Sequence, residues 1–181
     1  VHLPNWHPRL PDLDLRTIVL HWTAGDYRTV YPAYHFCVAL DDAGEPIVCA
    51  TRDLALNARD VRTGDAEYAA HVAGRNSFAC GLAVCGMARA APHDFGPFPL
   101  RDDMLDGLCR IAAALCAQYG IAIEPHAVFT HAEAAIADGY FGAGENERWD
   151  IARLAPASSP LVAAEAREIG DALRERIRRL G

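Results

Sequence analysis

The chain has 181 residues with 17 basic and 24 acidic side chains, a formal net charge of −7. Apolar residues make up 51% and charged ones 23%, which excludes a disordered chain and suits one globular domain with its own core. The acidic balance argues against nucleic acid as a partner, because that role wants a basic face. Two uncharged runs, residues 76–88 and 111–123, are each thirteen long. Both fall short of the roughly 18 apolar residues that span a bilayer, so no membrane insertion is expected. Residues 1–14 carry three prolines and no apolar run, unlike a secretion signal. Val1 suggests a processed or engineered start.

Residues 16–22, Arg-Thr-Ile-Val-Leu-His-Trp, read as a buried strand that is β-branched at its centre. Residues 34–40 and 46–50 are apolar runs on either side of Asp42-Ala43-Gly44 and predict a hairpin. Residues 54–75 read as a surface loop, 80–86 as a further strand of small residues, and 89–99, with three prolines, as a loop. A helix follows Pro99: Met104, Leu105, Leu108, Ile111, Ala112 and Cys116 recur at three and four, and Gly120 closes it. Residues 127–130 predict a short strand running into His131, and the three glycines of 139–147 mark a mobile loop. The last helix is expected over 160–180, capped by Ser159 ahead of Pro160. It ends in Arg174, Arg176, Arg178 and Arg179, read as solvated cations at the negative end of the helix dipole. No internal repeat or second domain is visible. A single domain over 1–181 is expected, α/β with an α+β tendency.

Six cysteines are present, four in strand-like runs (Cys37, Cys49, Cys80, Cys85) and two, Cys109 and Cys116, one heptad apart. None has metal-ligand spacing. They read as reduced core thiols from a reducing compartment, with Cys37 opposite Cys49 across the hairpin. A cysteine hydrolase built on Cys37 is disfavoured, since an apolar strand hides a thiol and raises its pKa. His21 and His131 stand at the ends of two strands, where an α/β sheet presents side chains to a cleft. With Asp150 they make two imidazoles and a carboxylate, a common catalytic zinc set that leaves the fourth position to water. His35 alternates to the opposite face from Tyr34. His2, His7, His93 and His126 read as incidental.

Five motifs occur in one order: His21-Trp-Thr-Ala24, Tyr34-His-Phe36, His71 with Asn76-Ser77 ahead of Gly81-Leu-Ala-Val84, Thr130-His131, and Arg148-Trp-Asp150. The order resembles the type 2 N-acetylmuramoyl-L-alanine amidases, which include phage endolysins, muropeptide-recycling amidases and peptidoglycan recognition proteins. The resemblance runs from about Thr17 to Leu154. It implies a mixed β-sheet flanked by helices and one zinc ion per chain in a surface groove, held by His21, His131 and Asp150. It also implies hydrolysis of the bond between the lactyl group of N-acetylmuramic acid and L-alanine, in peptidoglycan or its fragments. Tyr34 matches the family's active-site tyrosine. Arg148 stands where many members carry a catalytic lysine, and is assigned electrostatic stabilisation because arginine does not release a proton near neutral pH. Proton delivery is then left to Tyr34 or the water itself.

His71, Asn76 and Trp22 are expected to hold substrate, Trp149 to line or buttress the groove, and Glu133 either to orient a ligand histidine or to stand as a solvated acid at a helix start. The recycling subgroup's catalytic glutamate is replaced by Ala83, which is closer to the endolysin style. The His131–Asp150 interval is longer than in compact endolysins. A monomer made without a visible signal peptide is expected, acting on the wall after release or on muropeptides in the cytoplasm. The alternative is a non-catalytic peptidoglycan-binding module of the same fold.

Overall fold

The β-branched run Thr-Ile-Val-Leu-His-Trp forms strand β1 (Thr17–Trp22), with every residue after Thr17 buried. In the computed structural model, which describes residues 9–63 and 67–181, β1 lies inside a mixed five-strand sheet. The other strands are β2 (Phe36–Leu40), β3 (Pro46–Ala50), β4 (Ala79–Val84) and β5 (Val128–Thr130), in the order β3-β2-β4-β1-β5. Only β2 and β3 pair antiparallel. Their turn is held by the Asp41 side chain, which accepts from the amides of Ala43 and Glu45, and by Gly44 at a φ of +83°. Cys37 falls opposite Cys49 as expected, and all six thiols are free. His2 and His7 lie outside the described residues, as do residues 64–66 of the expected 54–75 loop.

Three helices complete the domain: α1 (Asp102–Tyr119), α2 (His131–Asp138) and α3 (Ala163–Leu180). Alternation along β1 sends Ile18, Leu20 and Trp22 into the main core with α1, whose Met104, Leu108, Ile111 and Leu115 are fully buried. The opposite face carries Val19, packed with Val72, Phe129 and Ala134 in a separate apolar cluster. His21 is next on that second face, so the site is built on the side away from α1. Among the described residues no helix is long and apolar enough to cross a membrane.

Four expectations are corrected. The stretch read as a surface loop, 54–75, buries Leu54, Asn57, Val61, Ala69, His71 and Val72. The amide and carbonyl of Ala69 both bond the Asn57 side chain, which satisfies a polar backbone inside the core. Helix α3 starts at Ala163 rather than Pro160, because Ser159 and Pro160 turn their carbonyls onto the buried Arg153 guanidinium. Arg174 and Arg176 are not solvated. Arg174, 2% exposed, donates to both oxygens of Glu133 and to the Val128 carbonyl, and Arg176 pairs with Asp102 and Asp106. The 139–147 segment is pinned rather than loose, with Phe141 bridged to Arg148 and the Tyr140 amide bonded to Ala135.

His35, fully buried just before β2, accepts the Gly81 amide on Nδ1 at 3.0 Å. Burial lowers its pKa from 6.5 to about 4. The unfolded chain takes up this proton near 6.5, so the stability His35 contributes is complete above that pH and is lost as pH falls from 6.5 towards 4. His35→Gln, which keeps an acceptor but cannot titrate, should flatten the fall in urea midpoint across that range. A second expected outcome concerns the Glu133–Arg174 pair. Arg174→Ala strands a buried carboxylate and should cost about 3–5 kcal/mol in urea unfolding.

Candidate metal centre and groove

Three backbone devices bring the site together. Parallel pairing sets His21 beside Ala83 on β4. The Thr130 hydroxyl accepts the Glu133 amide while the Glu133 carboxylate accepts the Thr130 amide, a reciprocal cap that starts α2 at His131. The Asp150 carbonyl accepts the Ala132 amide at 3.1 Å, which ties the end of the long 132–149 segment to the first turn of the same helix. Backbone strain gathers here too. Ala24, Met87 and Arg89 line the groove at positive φ, and buried Ile151, directly after Asp150, sits at +60°. A β-branched residue adopts that conformation only when its surroundings impose it.

The result is a buried triangle. His21 Nδ1 lies 3.1 Å from His131 Nδ1 and 3.5 Å from Asp150 Oδ2, and His131 Nδ1 lies 3.2 Å from Asp150 Oδ2. Burial opposes ionisation of Asp150, but hydrogen bonds from both imidazoles outweigh it and hold the carboxyl below its usual range. Burial lowers His21 to about 4, against the smaller opposing pull of Asp150. At neutral pH the set is therefore an ionised carboxylate and a neutral His21 imidazole with lone pairs to share. A carboxylate brings no proton to such a cluster, and each neutral ring brings one on only one of its nitrogens. Bonds of roughly 2.0–2.1 Å to a tetrahedral zinc ion place ligand atoms about 3.3–3.4 Å apart, so the edges of the triangle fit that ion. Among the described residues it is the one group of three or more histidine, cysteine or acidic side chains so arranged.

A two-lobed groove opens over the triangle. One lobe, about 630 Å³, is lined by Tyr68, His71, Asn76, His131, Tyr140 and Arg148 among others. The second, about 550 Å³, includes Trp22, Tyr34, Arg89, Arg148, Trp149 and Asp150. Arg148 is exposed, and among the described residues its guanidinium donates to the Glu147 carbonyl and pairs with no carboxylate. Tyr34 sets its ring 5.0 Å from that of His21 and donates its hydroxyl to the Trp22 carbonyl at 3.2 Å. Burial raises its pKa, so it keeps its proton at neutral pH. Trp22 is 5% exposed and meets Trp149 edge to face at 4.5 Å, with Phe95 behind.

Two residues expected to hold substrate have other partners. The Asn76 Oδ1 accepts the amides of His71 and Val72 at 3.0 Å each. His71 is 6% exposed and stands behind His21, Nδ1 to Nε2 at 3.3 Å. Glu133 serves the helix cap and Arg174, not a ligand histidine. Sequence reasoning missed Tyr140, which meets His131 edge to face at 6.1 Å and whose buried hydroxyl has no partner among the described residues. The double glycine signal around it, Gly139 and Gly142, suggested only a loop. It also missed α2, although Thr-His-Ala-Glu is a capping-box sequence.

No curated protein sequence matches the chain significantly. Among solved structures it is similar to the N-acetylmuramyl-L-alanine amidase AmiD from E. coli, captured with anhydro-N-acetylmuramic acid-L-Ala-D-gamma-Glu-L-Lys as substrate. Identity is 17% and the TM-score 0.44, over 71% of this chain and 52% of AmiD. AmpDH3 from Pseudomonas aeruginosa is similar at 19% identity and a TM-score of 0.44, over 73% of this chain and 56% of that one. The chain thus spans little more than half the length of either. The family model for N-acetylmuramoyl-L-alanine amidase matches residues 11–149, taking in His21 and His131 and stopping one residue short of Asp150. With that match over most of its length, the chain belongs to the N-acetylmuramoyl-L-alanine amidase family.

Proposed function

We propose that this chain is a zinc-dependent hydrolase that cuts the amide between the lactyl group of N-acetylmuramic acid and L-alanine, in peptidoglycan or muropeptides. The observation that carries this reading is the triangle of His21, His131 and Asp150, with edges of 3.1–3.5 Å opening onto a groove. Family membership supplies the bond, and the muropeptide in the AmiD complex supports the substrate class. His21, His131 and Asp150 would hold the ion, which when bound would supply Lewis acidity to the scissile carbonyl and lower the pKa of water towards neutrality.

The chain's own groups do the rest. Arg148 brings a permanent positive charge to both lobes of the groove, placed to stabilise negative charge on a carbonyl oxygen. Tyr34 retains its proton and acts as a neutral donor and wall for His21 rather than as an acid, so the attacking water supplies the proton that the leaving L-alanine nitrogen takes up. Ala83, level with His21, offers no carboxyl, so no glutamate on β4 takes up a proton. Trp149, half-buried at the groove with the buried Trp22 packed edge to face behind it, offers an apolar surface for a sugar. Asn76 takes part through the 71–72 backbone it holds.

Mass spectrometry of muropeptides digested by the protein should show a free L-alanine amine and an intact lactyl carboxylate. Chelation should abolish this cleavage and added zinc restore it. Zinc binding without that product would favour the binding-module reading instead. His131→Ala should lose both zinc and activity, and full activity would refute the ligand assignment. Arg148→Ala should keep one zinc per chain by elemental analysis while kcat falls about 10²-fold. An unchanged kcat would remove Arg148 from the mechanism.

A further inference from the structure

His71 is buried behind the site, out of reach as a fourth corner of the triangle, yet the chain goes to some length to place it. Asn76 holds its backbone amide and that of Val72. Asn57 in turn holds the Asn76 carbonyl and both backbone groups of Ala69. The imidazole lies flat on β4 at Gly81, where a Cβ would come within 2.5 Å of the His71 Cγ. Only glycine leaves room for the ring. These constraints converge on one contact, His71 Nδ1 to His21 Nε2 at 3.3 Å, with the two rings at 80°.

The contact has a consequence for His21. That ring turns Nδ1 to the triangle, and a nitrogen that donates a lone pair to a cation carries no proton. In the neutral ring the proton then sits on Nε2, pointing at His71. We propose that His71 is a positioning residue: its Nδ1 accepts the His21 Nε2–H, fixing the tautomer and rotation that aim His21 Nδ1 at the metal. The proposal rests on the zinc reading above and deepens it. A neutral imidazole as acceptor has a chemical effect that a carboxylate would not have. It orients the ligand without adding a second negative charge beside Asp150, so the ion keeps more of its Lewis acidity. His35 cannot substitute, because its Nδ1 is occupied by the Gly81 amide.

Two measurements test this. In the zinc-loaded wild type, long-range proton–nitrogen NMR should find His21 and His71 both neutral with their protons on Nε2. A proton on His71 Nδ1 would overturn the proposal without any variant being made. Zinc affinity, read by competition with a chromophoric chelator, should fall 10–100-fold in His71→Leu. It should recover in large part in His71→Asn, which is isosteric with leucine and restores an acceptor near Nδ1. Equal affinities for the two folded variants would overturn the proposal while leaving the zinc centre intact. Failure of the wild type to bind zinc at all would instead refute the metal reading, and this inference with it.

Discussion

Everything in this fold that bears on function follows from one electrostatic demand. Two imidazole nitrogens and a carboxylate oxygen are packed within 3.5 Å of one another, out of water. Left to themselves they compete for too few protons, and an ionised carboxylate in a protein interior needs positive charge close by. A divalent cation, on the proposed reading, would answer both needs at once. The surrounding structure is best understood as what keeps three such groups together: parallel pairing that brings β1 and β5 side by side, a capped helix that begins at one ligand, and a backbone hydrogen bond that draws in the third.

The support around the triangle is mostly neutral. His35 and His71 fill the space behind His21 as uncharged rings, and Ala83 replaces what could have been a carboxylate next to it. The charged side chains that line the groove are Asp150 within the triangle and Arg89, Glu147 and Arg148 around it. On the proposed reading, that distribution would leave a bound cation only partly compensated, with Arg148 as a permanent positive charge in the groove, an arrangement suited to polarising a carbonyl.

How much of this was legible beforehand depends on the range of the physics involved. His21 and His131 could be read because strand ends are marked locally by β-branched runs, and Asp150 because the family's motifs occur in order. The five strands and α1 were visible in periodicity and in small-residue content. What escaped depends on partners distant in sequence. Nothing near Arg174 announces Glu133, forty-one residues earlier, so a buried ion pair looked like a solvated helix end. Nothing near Ser159 announces that Arg153 claims its carbonyl and delays the helix. His71 was read beside the groove but its seat on β4 was not, because Gly81, the residue that admits its ring, reads in sequence only as one more small residue in a strand.

The long interval between the second and third ligands is the clearest case of a departure that the fold absorbs. Eighteen residues separate His131 from Asp150, and a loose connection of that length would leave the carboxylate poorly held. Instead the first eight positions from His131 are wound into α2 and the remainder is folded back on itself by the Phe141–Arg148 bridge. The chain then returns to the start of the same helix, where the Ala132 amide takes the Asp150 carbonyl. The extra length is therefore not slack between two ligands. It forms a wall of the groove, and it carries Tyr140 and Arg148 to the rim as it comes back.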